Sequence, residues 1–311
     1  MLQSFRDIEG YKVLKVLIEK IEPYLQAQGV NEMIVNREKE VWLMRGSDFE
    51  CVSAPELDSK TLLTLCEQLA SYRDFYFNSQ VPHLACSIPQ TRYRVNALHP
   101  SITPNNEIAI CIRVPSNRQF KIQEFVLGER CQYGYNEIEG MVKRGENILI
   151  SGGTASGKTS LLNALIDFIP LTDRILSVED SPELNLEKYQ NRVQILVGKN
   201  ENTNFTYENA LNNAMRMSPQ RLMVGEIDTR NAMLFLRFGN TGHRGMVSTI
   251  HANSVDSVIE AIALNIKISN TAEMDLDVIR DFFKSAIDVV IQINKIGHQR
   301  VIQEIKYTKE L

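Results

Sequence analysis

Residues 150–160 of this 311-residue chain, ISGGTASGKTS, combine closely spaced glycines with a lysine and a threonine. The spacing fits the pattern GxxxxGK[ST], in which glycines let backbone amides curl around phosphate oxygens without a Cβ in the way. An apolar strand leads into this loop and a helix leads out, which favours a phosphate-binding loop over a chance glycine-rich turn. The candidate nucleotide contacts in it are Gly152, Gly153, Thr154, Ala155, Ser156, Gly157, Lys158, Thr159 and Ser160.

Two side chains of the loop have distinct chemistry. Lys158 is expected to reach the β- and γ-phosphates of ATP, and the Thr159 hydroxyl to ligate Mg²⁺. A loop of this kind also needs a carboxylate at the end of a neighbouring strand, and RLMVGE supplies Glu226. The predicted cofactors are therefore ATP and Mg²⁺, with Thr159 and Glu226 as metal ligands, partly through water.

A second acidic cluster, SVEDSPEL, places Glu179, Asp180 and Glu183 after the strand RIL. Carboxylates at the carboxyl edge of an open α/β sheet lie near the bound ligand. Taken alone, Glu179 and Asp180 would suit a solvated loop or a helix cap equally well.

Two histidines flank the strand GMVSTI, His243 before it and His251 after it. Eight residues of straight strand span about 25 Å, because each residue adds ~3.3 Å, so the two imidazoles do not share one metal ion. An imidazole beside the nucleotide can instead form a hydrogen bond to the γ-phosphate.

The elements that must position these residues change character along the chain. Residues 1–114 predict an N-terminal α+β domain, with amphipathic helices over 8–28 and 59–77, a hairpin of EMIVN and EVWLM, and strands over 92–98 and 107–114. Residues 115–125 lose this periodicity and are the predicted linker.

Residues 126–311 alternate short apolar strands with helices, which predicts a mostly parallel sheet flanked by helices, an α/β class. The strands are NILI, RILSVE, RVQILV, RLMVGE and GMVSTIH. The helices cover 157–168, 206–216, 229–239, 254–267 and 275–286, and a final hairpin turns at Gly297.

The composition of the chain argues against several classes of function. The net charge of −4 argues against a strongly basic surface for nucleic acid. No run approaches the ~20 apolar residues that span a membrane. Five cysteines at irregular spacing, without a CxxC pair, fit a reducing cytosol. They are Cys51, Cys66, Cys86, Cys111 and Cys131. A cytoplasmic protein is expected, with any membrane association peripheral.

Four motifs follow one another in the second half: GGTASGKTS, RILSVEDSPEL, MRMSPQRLMVGEI and GHRGMVSTIHANS. Together they resemble the secretion-ATPase superfamily of P-loop NTPases. The N-terminal segments VNEMIVNREKEVWLM and RYRVNALHPSITPNNEIAICIRVPS are similar to the traffic ATPases of type IV secretion systems. The tetracysteine insert typical of type II assembly motors is missing. The resemblance runs from about residue 30 to 293, densest in the second half.

The resemblance implies a RecA-like ATPase domain and a homo-hexameric ring at the cytoplasmic face of the inner membrane. Its partners would be inner-membrane secretion-complex proteins and a coupling ATPase, with protein or DNA cargo handled indirectly, and domain motion would power export or conjugative pilus assembly. The implied catalytic set is Lys158, Glu183, Glu226, His251 and Arg113, with Glu179 as the rival of Glu183 for activating water. Arg94, Arg113 and His243 would be further nucleotide contacts.

The chain departs from the family pattern after Glu226, where Asp228 occupies the place of a usual arginine and Arg230 follows. Ser218 and Gln220 also differ from the family pattern. Three alternative functions stay open at this point: a pilus or type II secretion motor, a non-motor enzyme such as a small-molecule kinase, and a nucleotide-gated scaffold with negligible turnover.

Overall fold

The computed structural model describes residues 11–46, 48–115, 119–198, 205–269 and 274–311. The chain divides into two compact units, the first ending at residue 117 and the second made of 118–197 and 205–311. Residues 8–10 of the first predicted helix and 116–118 of the predicted linker lie outside the described residues.

In the first unit, two helices pack on one antiparallel sheet. The helices are α1 (Lys12–Leu25) and α2 (Ser59–Ser71). The strands are β1 (Glu32–Val35), β2 (Glu40–Arg45), β3 (Asp48–Ser53), β4 (His83–Ser87), β5 (Arg94–Leu98) and β6 (Ala109–Arg113). Their order is β3-β2-β1-β6-β5-β4, and each neighbouring pair is antiparallel.

The helices form because each has one apolar face at helical spacing. Leu14, Ile18 and Ile21 of α1 are buried in the same core as residues of α2 and of the strands. Asp58 caps α2 by accepting the Thr61 amide at 2.7 Å. The helix ends at Ser71, well before the predicted residue 77, and the chain then turns with a positive φ at Asp74.

The second unit begins with β7 (Val126–Arg130), α3 (Tyr135–Arg144) and β8 (Ile148–Ser151). Its later helices are α4 (Lys158–Ile166), α5 (Tyr207–Arg216), α6 (Ala232–Gly239), α7 (Val258–Ile268) and α8 (Leu276–Ala286). Its later strands are β9 (Ile175–Glu179), β10 (Arg192–Leu196), β11 (Arg221–Ile227), β12 (Val247–Ile250), β13 (Val289–Ile296) and β14 (Gln299–Tyr307).

These strands form one sheet in the order β10-β9-β11-β12-β8-β13-β14-β7. The pairs from β10 to β13 are parallel, and β14 runs antiparallel to β13. Helices cover both faces, α3 and α4 on one core and α5 to α8 on the other. The predicted mostly parallel sheet with flanking helices and a final hairpin is confirmed.

Residues at the end of the predicted linker pack into the second unit. Ile122 and Phe125 are buried in the core that α3 and α4 cover. The backbone between them forms a single 3-10 turn, Ile122–Glu124. Because the predicted linker shows no apolar period, the sequence did not indicate that Ile122 and Phe125 would be buried. In the part of the chain that the structure describes, no helix is both long and apolar enough to cross a membrane.

Candidate functional site

The predicted phosphate loop joins β8 to α4, and its glycines are required by close contacts. A Cβ on Gly152 would lie 2.4 Å from the Ile293 carbonyl oxygen, which is closer than real Cβ atoms come to any atom. Gly157 adopts a φ of +101°, a backbone conformation that side chains with a Cβ rarely adopt. The loop therefore folds tightly onto the sheet and presents its amides at the start of α4.

Lys158 begins α4 and is only 7% exposed. Its ammonium donates to the carbonyl oxygens of Gly152 at 3.0 Å and Gly153 at 3.1 Å. Burial lowers the pKa of Lys158, and the negative charge of Glu226 opposes that shift. The ammonium is thus held at the mouth of the loop, where a phosphate oxygen would compete for it.

His251 links Lys158 to Glu226. Its Nδ1 lies 3.1 Å from the Lys158 ammonium, and its Nε2 lies 2.8 Å from a Glu226 carboxylate oxygen. One tautomer satisfies both contacts: Nε2–H donates to the carboxylate, and Nδ1 accepts from the ammonium. Three predicted site residues therefore meet at one point: Lys158 of α4, Glu226 of β11, and His251, which directly follows β12. The parallel strands β8, β11 and β12 bring them to the same edge of the sheet.

The acidic cluster after β9 contains one buried and one half-buried glutamate. Glu179 is 1% exposed, and its carboxylate accepts the backbone amides of Glu183 at 2.8 Å and Leu184 at 2.9 Å. Burial raises the pKa of Glu179, and donors led by the Ser177 hydroxyl oppose that shift. Glu179 thus shapes the loop that presents Glu183, which favours Glu183 over its rival for contact with water.

Asn163 on α4 holds this acidic loop from the other side. Its side-chain amide donates to the Glu183 carbonyl at 3.1 Å and accepts the Asn185 amide at 2.7 Å. Because α4 starts at the phosphate loop, Asn163 ties Glu183 to the helix that begins at Lys158. The sequence offered no signal for this role, since asparagine in a helix is usually a solvated residue.

His243 lies away from the loop of its own chain. It precedes β12, while His251 follows it, so the two histidines occupy opposite edges of the sheet. The His243 carbonyl accepts from Asn147, which precedes β8, and its ring nitrogen contacts the Thr241 hydroxyl. Within its own chain, His243 lies at the other end of β12 from His251 and the phosphate loop, and its contact with a nucleotide stays a prediction.

Arg94 and Arg113 belong to the first unit, where they are direct neighbours. Arg94 begins β5, Arg113 ends β6, and the antiparallel register pairs them across the two strands. Like charges directly opposite each other on a sheet are unfavourable. On its other side, Arg113 is in register with Glu32 of β1, so two arginines and one glutamate lie next to one another on this sheet.

The distant β13–β14 hairpin contributes one contact to the phosphate loop and one to the segment after His251. The stem of Arg300 lies against Gly157, whose Cβ, if present, would be 2.7 Å from Arg300 Cδ. The Arg300 guanidinium stacks 4.1 Å above the Phe120 ring. Gln292 on β13 donates to the Asn253 carbonyl at 3.3 Å, two residues beyond His251. These residues were missed by sequence reasoning because they lie more than a hundred positions from the loop.

A cavity of about 360 Å³ opens beside the loop. Gly153, Thr154 and His251 line it, together with Asn253 and the start of α7. The Ser156 hydroxyl is buried and has no hydrogen-bond partner among the described residues. A cradle that a Cβ would fill, a buried lysine and an unsatisfied hydroxyl together fit a polyphosphate.

The donor set also fits magnesium. The described residues contain no group of three His, Cys, Asp or Glu side chains that could hold a metal ion by themselves. Magnesium at nucleotide sites instead uses one or two protein oxygens with phosphate oxygens and water. Thr159 and Glu226 are the oxygen donors predicted for it.

Known proteins that are similar to this chain belong to bacterial secretion systems. Residues 80–297 match the family model described as type II/IV secretion system protein. The type IV secretion system protein VirB11 of Bartonella quintana is 27% identical, with 99% of this chain and 97% of that protein covered. The type IV secretion system protein PtlH of Bordetella pertussis is 26% identical, over 93% of this chain and 94% of that protein.

Among solved structures, the pilus retraction motor PilT with bound ADP matches with a TM-score of 0.67 at 19% identity, over 95% of this chain and 83% of PilT. At that identity the likeness shows the fold, a RecA-like ATPase domain preceded by an N-terminal domain. Because the family model spans most of the chain, the chain belongs to the type II/IV secretion system protein family and is an ATPase of the type IV secretion class.

Proposed function

We propose that this chain is the motor of a type IV secretion or conjugation system, converting ATP hydrolysis into domain motion that powers substrate export or pilus assembly. The observation that carries the proposal is the hydrogen-bonded chain from Lys158 through His251 to Glu226, at the edge of the sheet where the phosphate loop begins. The carboxylate beside the phosphate-binding lysine suits hydrolysis because it can hold Mg²⁺ at the phosphates.

Each residue at this edge has a proposed role. Lys158 binds the β- and γ-phosphates in place of its present acceptors, and His251 contacts the γ-phosphate. Thr159 and Glu226 hold Mg²⁺, which when bound neutralises charge that develops on the phosphate oxygens. Glu183 orients and deprotonates the attacking water. The buried Glu179 carboxylate positions Glu183 by accepting its backbone amide.

Arg94 and Arg113 are proposed as a second source of positive charge. Their cross-strand pairing places two guanidinium groups side by side, and each can form charge-assisted hydrogen bonds to phosphate oxygens. We propose that this pair binds phosphates of the nucleotide, as the resemblance implies. Arginine suits this role because its planar guanidinium can form two hydrogen bonds to a phosphate.

The proposed assembly is a homo-hexameric ring at the cytoplasmic face of the inner membrane. The matching relatives, VirB11 and PtlH, are named as type IV secretion system proteins. The proposed partners are the membrane proteins of that complex and a coupling ATPase. A ring of six has a mass of six times 35.4 kDa, which light scattering measures on the full chain with ATP.

The experiment that tests the proposal compares two lysine variants of the full chain. Lys158→Ala is expected to lower phosphate release from Mg-ATP at least ~100-fold, because the transition-state charge loses its principal cation. The matched control is Lys143→Ala on α3, an exposed lysine whose only described ion pair is with Glu139. Phosphate release at the wild-type rate in Lys158→Ala would show that hydrolysis does not occur at this loop.

A further inference from the structure

Arg230 lies at the centre of a cluster of charged and aromatic side chains after β11. Its guanidinium Nη2 is 3.0 Å and 2.9 Å from the two carboxylate oxygens of Asp180. Its Nε donates to Asp228 at 2.9 Å, and its guanidinium carbon lies 4.9 Å from the centre of the Tyr207 ring. The Tyr207 hydroxyl donates to Asp180 at 2.8 Å. Arg230 therefore joins the loop after β9 to the loop after β11.

Asp228 holds Arg230 in place for this contact. One Asp228 carboxylate oxygen accepts the backbone amide of Arg230 at 2.8 Å, and the other accepts its guanidinium. An aspartate that bonds the amide two residues later forms a compact turn. The aspartate that stands where the family usually has an arginine thus works together with the arginine two positions on.

One of the two joined loops carries Glu183, and the other directly follows the strand that carries Glu226. Asp180 directly follows Glu179, whose carboxylate fixes the amide of Glu183. On the other loop, the Asn231 side chain donates to the Glu226 carbonyl at 2.9 Å. Asn231 also accepts the Asp228 amide at 3.0 Å, which connects Glu226 to the turn that holds Arg230.

The strength of these contacts depends on their partial burial. The Asp180 side chain is 15% exposed and that of Arg230 is 35% exposed. Tyr207, which packs under the guanidinium, is buried. Ion pairs in such positions are screened less by salt than exposed pairs, and arginine with carboxylate is the most directional of them.

We propose that Arg230 is a positioning residue that fixes the loop of Glu183 relative to the end of β11, where Glu226 lies, during hydrolysis. This inference rests on the proposed function, because it matters only if both carboxylates act on one nucleotide. None of the described Arg230 contacts involves residues 152–160 of the phosphate loop. Its loss therefore changes the rate of the chemical step and leaves nucleotide binding intact.

The first test replaces the guanidinium and separates rate from affinity. Arg230→Gln is expected to lower kcat for ATP about 10- to 100-fold, since a displacement of about 1 Å at a reacting group has an effect of that size. The Kd for fluorescent ADP is expected to stay within about twofold of wild type, because the loop residues that bind phosphate are untouched. Arg230→Lys restores part of the lost rate, because an ammonium reaches one carboxylate but not both.

Arg237→Gln is the matched control, since Arg237 is exposed on α6 and makes only a 3.3 Å contact to Asn212 among the described residues. It is expected to keep wild-type kcat. Asp180→Asn is expected to lose rate like Arg230→Gln, and the double variant to lose no more than either alone, because one interaction is removed in all three. If Arg230→Gln fails to fold by circular dichroism, the Lys and Asn variants carry the test.

Three results would overturn the inference: wild-type kcat in Arg230→Gln, a loss of ADP affinity equal to the loss of rate, or additive losses in the double variant. Lys158→Ala, measured beside them, separates the inference from the proposed function. If Lys158→Ala keeps turnover, the proposed function fails and the inference fails with it. If Lys158→Ala is inactive while Arg230→Gln is fully active, only the inference fails.

Discussion

Lys158, His251 and Glu226 show how one imidazole can serve two partners. The ring lies 2.8 Å from Glu226 at Nε2 and 3.1 Å from the Lys158 ammonium at Nδ1, so each nitrogen has a partner. Burial lowers the pKa of Lys158 and so disfavours its charged form, whereas the nearby charge of Glu226 favours it. When a phosphate binds the Lys158 ammonium, His251 Nδ1 loses this contact. Nucleotide binding is therefore expected to change the hydrogen bonding of His251.

Candidate site residues could be predicted from the sequence where they belong to one contiguous motif. Gly152, Lys158 and Thr159 lie within one pattern. Glu226 lies near the end of β11 and His251 directly follows β12, at the same edge of a parallel sheet. The structure places His251 within hydrogen-bond distance of both Lys158 and Glu226. Arg300 could not be found in this way, because its contact with Gly157 depends on the β13–β14 register and not on local spacing.

The buried Glu179 gives a prediction about pH. Burial raises its pKa above the ordinary value of 4.5, so the folded protein favours the protonated carboxyl more than the unfolded chain does. Its stabilising contribution is then complete below pH 4.5 and is lost as the pH rises through the folded-state pKa. Glu179→Gln cannot ionise and lacks this dependence.

The measurement is the free energy of unfolding of wild type and Glu179→Gln in denaturant from pH 5 to pH 8. The wild-type value minus the variant value is expected to fall as pH rises, by at most ~1.4 kcal/mol per pH unit. Glu187→Gln, an exposed change in the same segment, serves as control. A difference that stays flat or grows with pH would contradict the assignment of burial as the main influence on Glu179.

At the scale of elements, the phosphate loop is held between α4 and β13. Gly152 touches the Ile293 carbonyl of β13, whereas no atom of the described chain would lie within 4 Å of a Cβ on Gly153. Gly152→Ala therefore forces the loop or the strand to move, and Gly153→Ala does not. Overpacking of this kind typically costs about 1–3 kcal/mol of stability.

These two alanine variants form a matched pair, one residue apart in the same loop. Gly152→Ala is expected to lower the free energy of unfolding by about 1–3 kcal/mol in the absence of nucleotide, and Gly153→Ala by less than about 1 kcal/mol. Chemical denaturation of both measures the difference. Equal losses would mean that the loop does not pack on β13 as described.

Helices and buried strands were predictable because their periods are strong. The strands β8, β9 and β12 are buried along their whole length, and each followed a short apolar run in the sequence. In contrast, β3 was missed because five of its six residues are exposed and no apolar alternation marks it. The strand β7 was missed for the same reason, because none of its five residues is buried and no apolar alternation marks it.

At the scale of the whole molecule, the fold classes of the two halves were easier to predict from the sequence than the boundary between them. An antiparallel sheet with two helices forms the first unit, and a mostly parallel sheet covered on both faces forms the second. The change from alternating strands to strand–helix alternation carries this information. The position of Ile122 and Phe125 could not be read, because burial of two isolated apolar residues depends on the helices α3 and α4 that cover them.

The measurement that tests the account most directly is phosphate release by the full chain and by its Glu226→Gln variant, with ADP binding measured on both. We expect the variant to bind fluorescent ADP within about threefold of wild type and to release phosphate at least ~100-fold more slowly, because the amide keeps the hydrogen bond to His251 but cannot supply the carboxylate charge for Mg²⁺. Wild-type phosphate release by Glu226→Gln would contradict the claim that this carboxylate takes part in ATP hydrolysis.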